Sequence, residues 1–370
     1  MKIAFVGDCV INSPESHKIG NRLRQILSTC DLKALNFEAP VMYEGAKGIE
    51  KSGPVISQSE QTPAWLEHEG FNVISFANNH MLDLHEEGLV KSTQRFKNSI
   101  IVGAGTYQNA HEAKGVKVNG ENVGFIGVTH KEFGCVDSTD QTALGTADIS
   151  SPKTFTALAD SIGKYDKVYV IAHAGVEYLD YPLPQWREMY KALIDMGAAG
   201  VIGSHPHVPQ GYEIYKGKPI FYSLGNFAFE TSKGSDVPHL WNSSLLVTVD
   251  TSNDEIMWYP LHYDLDSHII DIDDNVESKS RIDALSKTLT DDKLYLESME
   301  KIYTDLQTTY KNMAVSGGLR RQRIITIIKN IIKPLLMRKR VKPNYSQALN
   351  LFQCESHRWV MERLLKTKKI

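Results

Sequence analysis

The chain has 370 residues, 42% hydrophobic and 23% charged, with a formal net charge of −3. That length can bury one large core or two smaller ones, and the near-neutral balance excludes a general affinity for nucleic acid. No apolar run reaches the ~18 residues needed to span a bilayer, and the four scattered cysteines (Cys9, Cys30, Cys135, Cys354) form neither a disulfide framework nor a zinc knuckle. The expected setting is reducing and cytoplasmic, at most peripheral on the inner face of a membrane.

In chain order, Lys2 to Val6 reads as a short buried strand that delivers Asp8 at its end, where open α/β sheets place functional carboxylates. A helix is predicted over about 17–27, with Ile19, Leu23, Ile26 and Leu27 on one face. Leu32 to Phe37 is a second strand, ending in Asn36-Phe37-Glu38-Ala39-Pro40. The Gly- and Ser-containing stretch 41–60 reads as a surface loop, and Thr62-Pro63 opens a short helix. A third strand, Phe71 to Phe76, runs into Ala77-Asn78-Asn79-His80-Met81-Leu82-Asp83.

Ile100 to Val102 is followed by Gly103-Ala104-Gly105, too short for the dinucleotide loop GxGxxG, so no cofactor loop is expected. Asn119-Gly120 between two apolar runs predicts a hairpin. After a helix over about 152–162, the strand Val168 to Ala172 ends in His173. A helix over 184–196 precedes the strand Gly200 to Ile202, which leads into Gly203-Ser204-His205-Pro206-His207-Val208. Strands are expected at 220–223 and, as an antiparallel pair, at 244–249 and 256–264. From about 277 the pattern turns helical, at roughly 280–288, 291–312, 319–340 and 345–366. The expected division is an α/β domain over 1–268 and a helical extension over 275–370.

His205 and His207 are two residues apart at a strand end. Pro206 biases His205 toward an extended backbone, and alternate residues of an extended strand share a face. An isolated pair of this kind is more often a pair of loop histidines. Here the strand ends together supply Asp8, Glu38, Asn79, His80, His173, His205 and His207 from five segments. Mixed carboxylate and imidazole donors suit Mn, Fe or Zn better than Ca or Mg. Two such ions bridged by a carboxylate would activate water and clamp a phosphate.

These segments resemble the CapA family of poly-γ-glutamate and capsule biosynthesis proteins, within the calcineurin-like metallophosphoesterase superfamily. The resemblance covers residues 1 to about 265. It rests on Gly7-Asp8, on Asn36-Phe37-Glu38-Ala39-Pro40 and on Ala77-Asn78-Asn79-His80 with Asp83. It continues through His173-Ala174-Gly175-Val176-Glu177-Tyr178, Gly203-Ser204-His205-Pro206-His207-Val208 and Tyr222-Ser223-Leu224-Gly225-Asn226-Phe227. It implies an α/β/β/α sandwich followed by a C-terminal helical extension, holding two divalent metal ions. Asp8 and His207 would hold the first, Glu38 would bridge, and Asn79, His173 and His205 would complete the second. His80 would protonate the leaving group, oriented by Asp83. The implied substrate is a phosphate ester or an anionic exopolymer, with a non-hydrolytic accessory role as the alternative. Two departures stand out: Val10 replaces the His of the superfamily's DxH, and Ala174 replaces the family's Trp, which is expected to open the site wall.

Charge is unevenly spread. Leu306 to Cys354 holds ten Lys or Arg and no Asp or Glu, leaving the remainder at −13, that is −3 less the block's +10. Within it, 319–340 reads as an amphipathic helix, either packed on the body or lying on an anionic membrane. Nucleic acid is not an expected partner, because the block lacks interleaved aromatics and the body is acidic.

Overall fold

Alternation along the first strand, Lys2–Val10, sets the layers. Ile3 and Phe5 point into a core shared with Phe125, Tyr169, Ile171, Ile202 and Phe221. Ala4 and Val6 point the other way, into a core with Leu23, Leu27, Leu66, Phe71 and Leu89. Period-two side chains therefore bury both faces of one strand, one against a second sheet and one against helices. The computed structural model describes residues 1–230, 237–238, 240–314 and 345–367.

The first sheet runs in the order Lys18–Ile19, Ile269–Ile272, Glu255–Tyr263, Ser243–Asp250, Lys2–Val10, Leu32–Phe37, Val73–Ser75 and Ile100–Val102, with Asn226–Phe229 pairing to the far half of Lys2–Val10. The second runs Tyr212–Tyr215, Lys218–Phe221, Gly200–Ser204, Lys167–His173, Glu121–Thr129 and Lys114–Val118. Helices Asn21–Leu27, Thr62–His68 and His85–Arg95 cover the first sheet. Helices Pro152–Ser161 and Pro184–Asp195 pack against the second, burying Leu158, Trp186 and Leu193. This is the expected α/β/β/α sandwich.

Parallel pairing aligns the strand ends. Asp8 sits opposite Asn36, and His173 opposite Ser204 and Thr129. Gly7 is required where the first strand meets the segment before Asn226. A Cβ there would lie 1.8 Å from the Gly225 carbonyl oxygen. The strand's register with Leu32–Phe37 shifts between Phe5 and Asp8.

Several local expectations change. His17 lies outside the helix predicted over 17–27. Lys18–Ile19 instead pairs with Ile269–Ile272, and the helix begins at Asn21 after Gly20 N–H donates to the Ile270 carbonyl (2.8 Å). The helix His85–Arg95 had no sequence counterpart. The hairpin forms as expected, with Asn119 at φ 52° and Gly120 at φ 87°.

Two compact units are resolved: Met1–Ile49 with Val55–Leu296, and Glu50–Pro54 with Glu297–Ile370. Helix Val276–Leu289 belongs to the first, since Ile282 and Leu285 join its inter-sheet core. The first compact unit extends to Leu296, past the division expected near 268–275. In the second unit, the helix expected over 345–366 is two helices, Tyr345–Gln353 and Glu355–Lys366, separated by an extended Cys354. Tyr310 Oη lies 2.8 Å from His357 Nδ1 within that unit. The predicted helix 319–340 lies outside the described residues.

Candidate metal centre

The parallel strand ends of the two sheets face one another, which brings Asp8 Oδ1 within 3.5 Å of His173 Nδ1. Asp8, Glu38 and His207 are buried and each offers a donor atom within 4.8 Å of the others. A second group converges beside them: His173 Nε2 lies 3.1 Å from Asn79 Oδ1 and 3.1 Å from His205 Nδ1. Glu38 links the two groups, its Oε1 lying 3.8 Å from His173 Nε2 and 3.6 Å from His207 Nε2. All six predicted ligands thus meet in one place.

The local backbone differs from the extended turn expected around Pro206. The strand ends at Ser204, and His205 and His207 take φ of 94° and 59°. Left-handed non-Gly residues cost on the order of 1–3 kcal/mol each. The His205 N–H offsets part of that by donating to Asp8 Oδ2 (3.1 Å), a charge-assisted bond in a fully buried place. The imidazoles therefore meet through a strained turn rather than through a shared strand face.

Protonation favours cation binding. Burial alone would raise the Asp8 carboxyl, but hydrogen bonding and charge from His173, with further help from His207 and Asn36, hold it at about 2. Burial lowers His173 to about 4 against the opposing pull of Asp8, and drives His205 well below the usual imidazole value. At neutral pH this set offers an ionised carboxylate and two neutral imidazoles, the forms that bind divalent ions. The donor chemistry fits such ions.

Around the donors lies a layer that sequence reasoning had not assigned. Asn78 donates to the Phe37 carbonyl (2.9 Å) and accepts the His80 N–H (3.1 Å), which settles its amide orientation. Its Nδ2 also donates to Asn36 Oδ1 (3.1 Å), so Asn36 Nδ2 must face Asp8 Oδ1 (2.7 Å). Ser204 Oγ lies 3.1 Å from His173 Nδ1. His130 is buried edge-on to His205, with ring centroids 4.4 Å apart. It follows the strand Glu121–Thr129, so the strand-end signal that exposed His173 was present there too.

His80 and Asp83 form the expected pair, with His80 Nδ1 2.7 Å from Asp83 Oδ2. Asp83 Oδ2 also accepts the Ile56 N–H (2.8 Å), which steadies the carboxylate. On the other side, His207 is walled by Trp241, Phe229 and Tyr178 at centroid distances of 5.1, 5.3 and 6.2 Å. Val10 packs into an apolar cluster with Ala39, Phe229 and Trp241, so no imidazole enters from that position. Ala174 is 3% exposed, and its small side chain leaves no opening to solvent at that point.

Known proteins are similar to part of this chain. Capsule biosynthesis protein CapA of Bacillus anthracis is 31% identical over 229 residues, 60% of this chain and 56% of that protein. PGA biosynthesis protein CapA of Bacillus subtilis (strain 168) is 33% identical over 248 residues, 62% of this chain and 63% of that one. The chain thus matches less than two thirds of the length of either relative. Among solved structures, a hypothetical protein from Thermus thermophilus is similar at 19% identity and a TM-score of 0.44, covering 71% of this chain and 99% of that one. All six converging candidate ligands lie within residues 2–231, the stretch matched by the family described as bacterial capsule synthesis protein PGA_cap, and the chain belongs to that family.

Proposed function

We propose that the protein is a metal-dependent hydrolase of phosphoesterase type, working in the synthesis of a capsule or poly-γ-glutamate-type anionic polymer. The observation that carries this is Glu38 Oε1 lying between the Asp8–His207 group and the Asn79–His173–His205 group. Asp8, Glu38, Asn79, His173, His205 and His207 would hold divalent ions there, of which Mn, Fe or Zn suit the donors. Bound there, they would supply positive charge that activates water and draws in a phosphoryl group.

The chain's own residues do the rest. Asp8 and Glu38 balance the cationic charge, and the Asn78–Asn36 pair holds Asp8 in orientation. His80 is held through Nδ1 by Asp83, an arrangement that fixes the orientation of the imidazole, as a proton donor to a leaving group requires. Capsule synthesis enters from the family and from the two relatives' names.

One observation favours a second reading, a non-hydrolytic accessory protein of polymer assembly. Val10 leaves the first group with three donors among the described residues, Asp8, Glu38 and His207. A nearby cleft of about 670 Å³ is lined by Glu86, Glu87, Asp137 and Asp140, which would repel an anionic polymer; the polymer would have to approach elsewhere. The basic stretch 319–340, proposed as a peripheral membrane contact, supplies a cationic alternative in sequence.

The test is hydrolysis of an aryl phosphodiester by the Mn-loaded full chain beside His80→Ala. Turnover that collapses in the variant supports the hydrolase. Bound metal without turnover on phosphate esters or amides moves the assignment to the accessory role.

A further inference from the structure

We propose that Asn226 is the positioning residue for His207. It holds the imidazole proton on Nδ1 and thereby aims the Nε2 lone pair at the cation site shared with Asp8 and Glu38. This rests on the metal-centre reading above.

Asn226 is fully buried at the start of Asn226–Phe229, directly opposite Asp8 in the parallel register. Its Nδ2 donates to the Trp241 backbone carbonyl (2.9 Å). A carbonyl oxygen can only accept, so the amide has one orientation. Its Oδ1 then lies 2.9 Å from His207 Nδ1. An amide oxygen also only accepts, so the hydrogen must be on Nδ1. A neutral imidazole carries one N–H, which leaves the lone pair on Nε2. Nε2 is the nitrogen 3.6 Å from Glu38 Oε1, on the side where the donors converge. Asp8 Oδ2, at 3.6 Å from Nδ1, is too distant to compete for the hydrogen.

The mount is rigid at both ends. Trp241, whose carbonyl orients Asn226, returns its indole N–H to the Phe229 carbonyl (3.1 Å) at the end of the same strand. Its ring also packs 5.1 Å from His207. The carboxylate ligand Asp8 and the residue that orients the imidazole ligand therefore sit on neighbouring paired strands. Outer partners that set a ligand's tautomer in this way typically matter about 10–100-fold in metal affinity.

The experiment uses the full chain in two measurements. First, ¹⁵N NMR of ring-labelled histidine in metal-free protein at fixed pH, with His207 assigned by difference from His207→Gln, reads its tautomer. Nδ1–H is expected in the wild type and a mixed population in Asn226→Leu. Second, Zn titration followed by equilibrium dialysis reads the binding constants. Asn226→Leu is expected to weaken one binding event by about 10–100-fold and leave the other unchanged, and Asn226→Asp, which keeps an acceptor for Nδ1–H, should recover part of the loss.

An Nε2–H His207 in the wild type overturns the proposal without any variant. So does Asn226→Leu with both constants and the tautomer intact. A wild type that takes up no Zn, yet shows the Nδ1–H form that Asn226→Leu loses, would sink the metal-centre reading and leave the positioning role standing.

Discussion

A carboxylate removed from water is ordinarily weakened as an acid, yet Asp8 is held at about 2 by the imidazoles and the amide around it. The linkage signs follow from each direction. Asp8 is depressed below its ordinary 3.8, so it contributes stability above that pH, lost as pH falls through about 2. His173 is lowered from 6.5 to about 4 by burial, so between those values the unfolded chain binds a proton that the folded chain refuses. Stability therefore falls as pH drops through that window, by about 3 kcal/mol in all. From His173 alone, urea unfolding of metal-free protein should show about 2 kcal/mol less stability at pH 5 than at pH 7; buried His205 adds a loss in the same direction, so His173→Gln should reduce the slope without abolishing it. Equal midpoints at the two pH values would contradict this. The proposed chemistry at the same scale rests on His80. Its replacement by Ala should lower hydrolysis by about 10²–10⁴-fold, and Asp83→Asn should lower kcat while leaving the bound metal in place, as measured by turnover and metal analysis of the same preparation.

Among the elements, the first strand carries the tightest constraint. Gly7 passes the Gly225 carbonyl with no room for a methyl group. Gly7→Ala must push Asn226–Phe229 away from Lys2–Val10, costing about 3 kcal/mol and moving Asp8 relative to Asn226. Denaturant unfolding combined with metal analysis should register both losses; retention of wild-type stability would mean that the two strands can separate freely. Gly120, by contrast, has nothing within 4 Å of a would-be Cβ, but its φ of 87° strains any L side chain. Gly120→Ala should cost about 1 kcal/mol and leave hydrolysis unchanged. The segments around His205 and Asn226 were visible in sequence as motifs, whereas the positive φ at His205 and the mount supplied by Trp241 were not. Both depend on residues remote in sequence, Asp8 and Phe229, which no local propensity reports.

On the scale of the whole molecule, cation binding at the proposed centre would couple to folding. A divalent ion at about 100 times its Kd stabilises the folded chain by about 2.7 kcal/mol, so Mn or Zn should raise Tm and EDTA should reverse the rise. An unchanged Tm would argue against a centre of useful affinity. Charge asymmetry gives a second test. Ten Lys or Arg between Leu306 and Cys354 stand against −13 elsewhere, so co-sedimentation with phosphatidylserine vesicles should occur at low salt and fade as salt rises. Absence of binding at low salt would remove the proposed membrane contact. Among the described residues, no helix is long and apolar enough to cross a membrane.

By itself, the sequence determined most of the strand-and-helix succession of the sandwich, though not the helix His85–Arg95, and the six candidate ligands at its strand ends. Buried parallel strands are short apolar runs, and their ends must change abruptly to polar residues. It also carried the Asn119-Gly120 turn, because only a few residue pairs tolerate two positive φ values. Tertiary structure alone decided that the edges of two sheets face each other and bring Asp8 to His173. It also decided that His17 leaves its expected helix for a sheet edge, that His130 joins the histidine cluster, and that Val276–Leu289 belongs to the first unit. Those outcomes depend on which distant surfaces bury one another, and a pattern of neighbours along the chain does not encode that pairing.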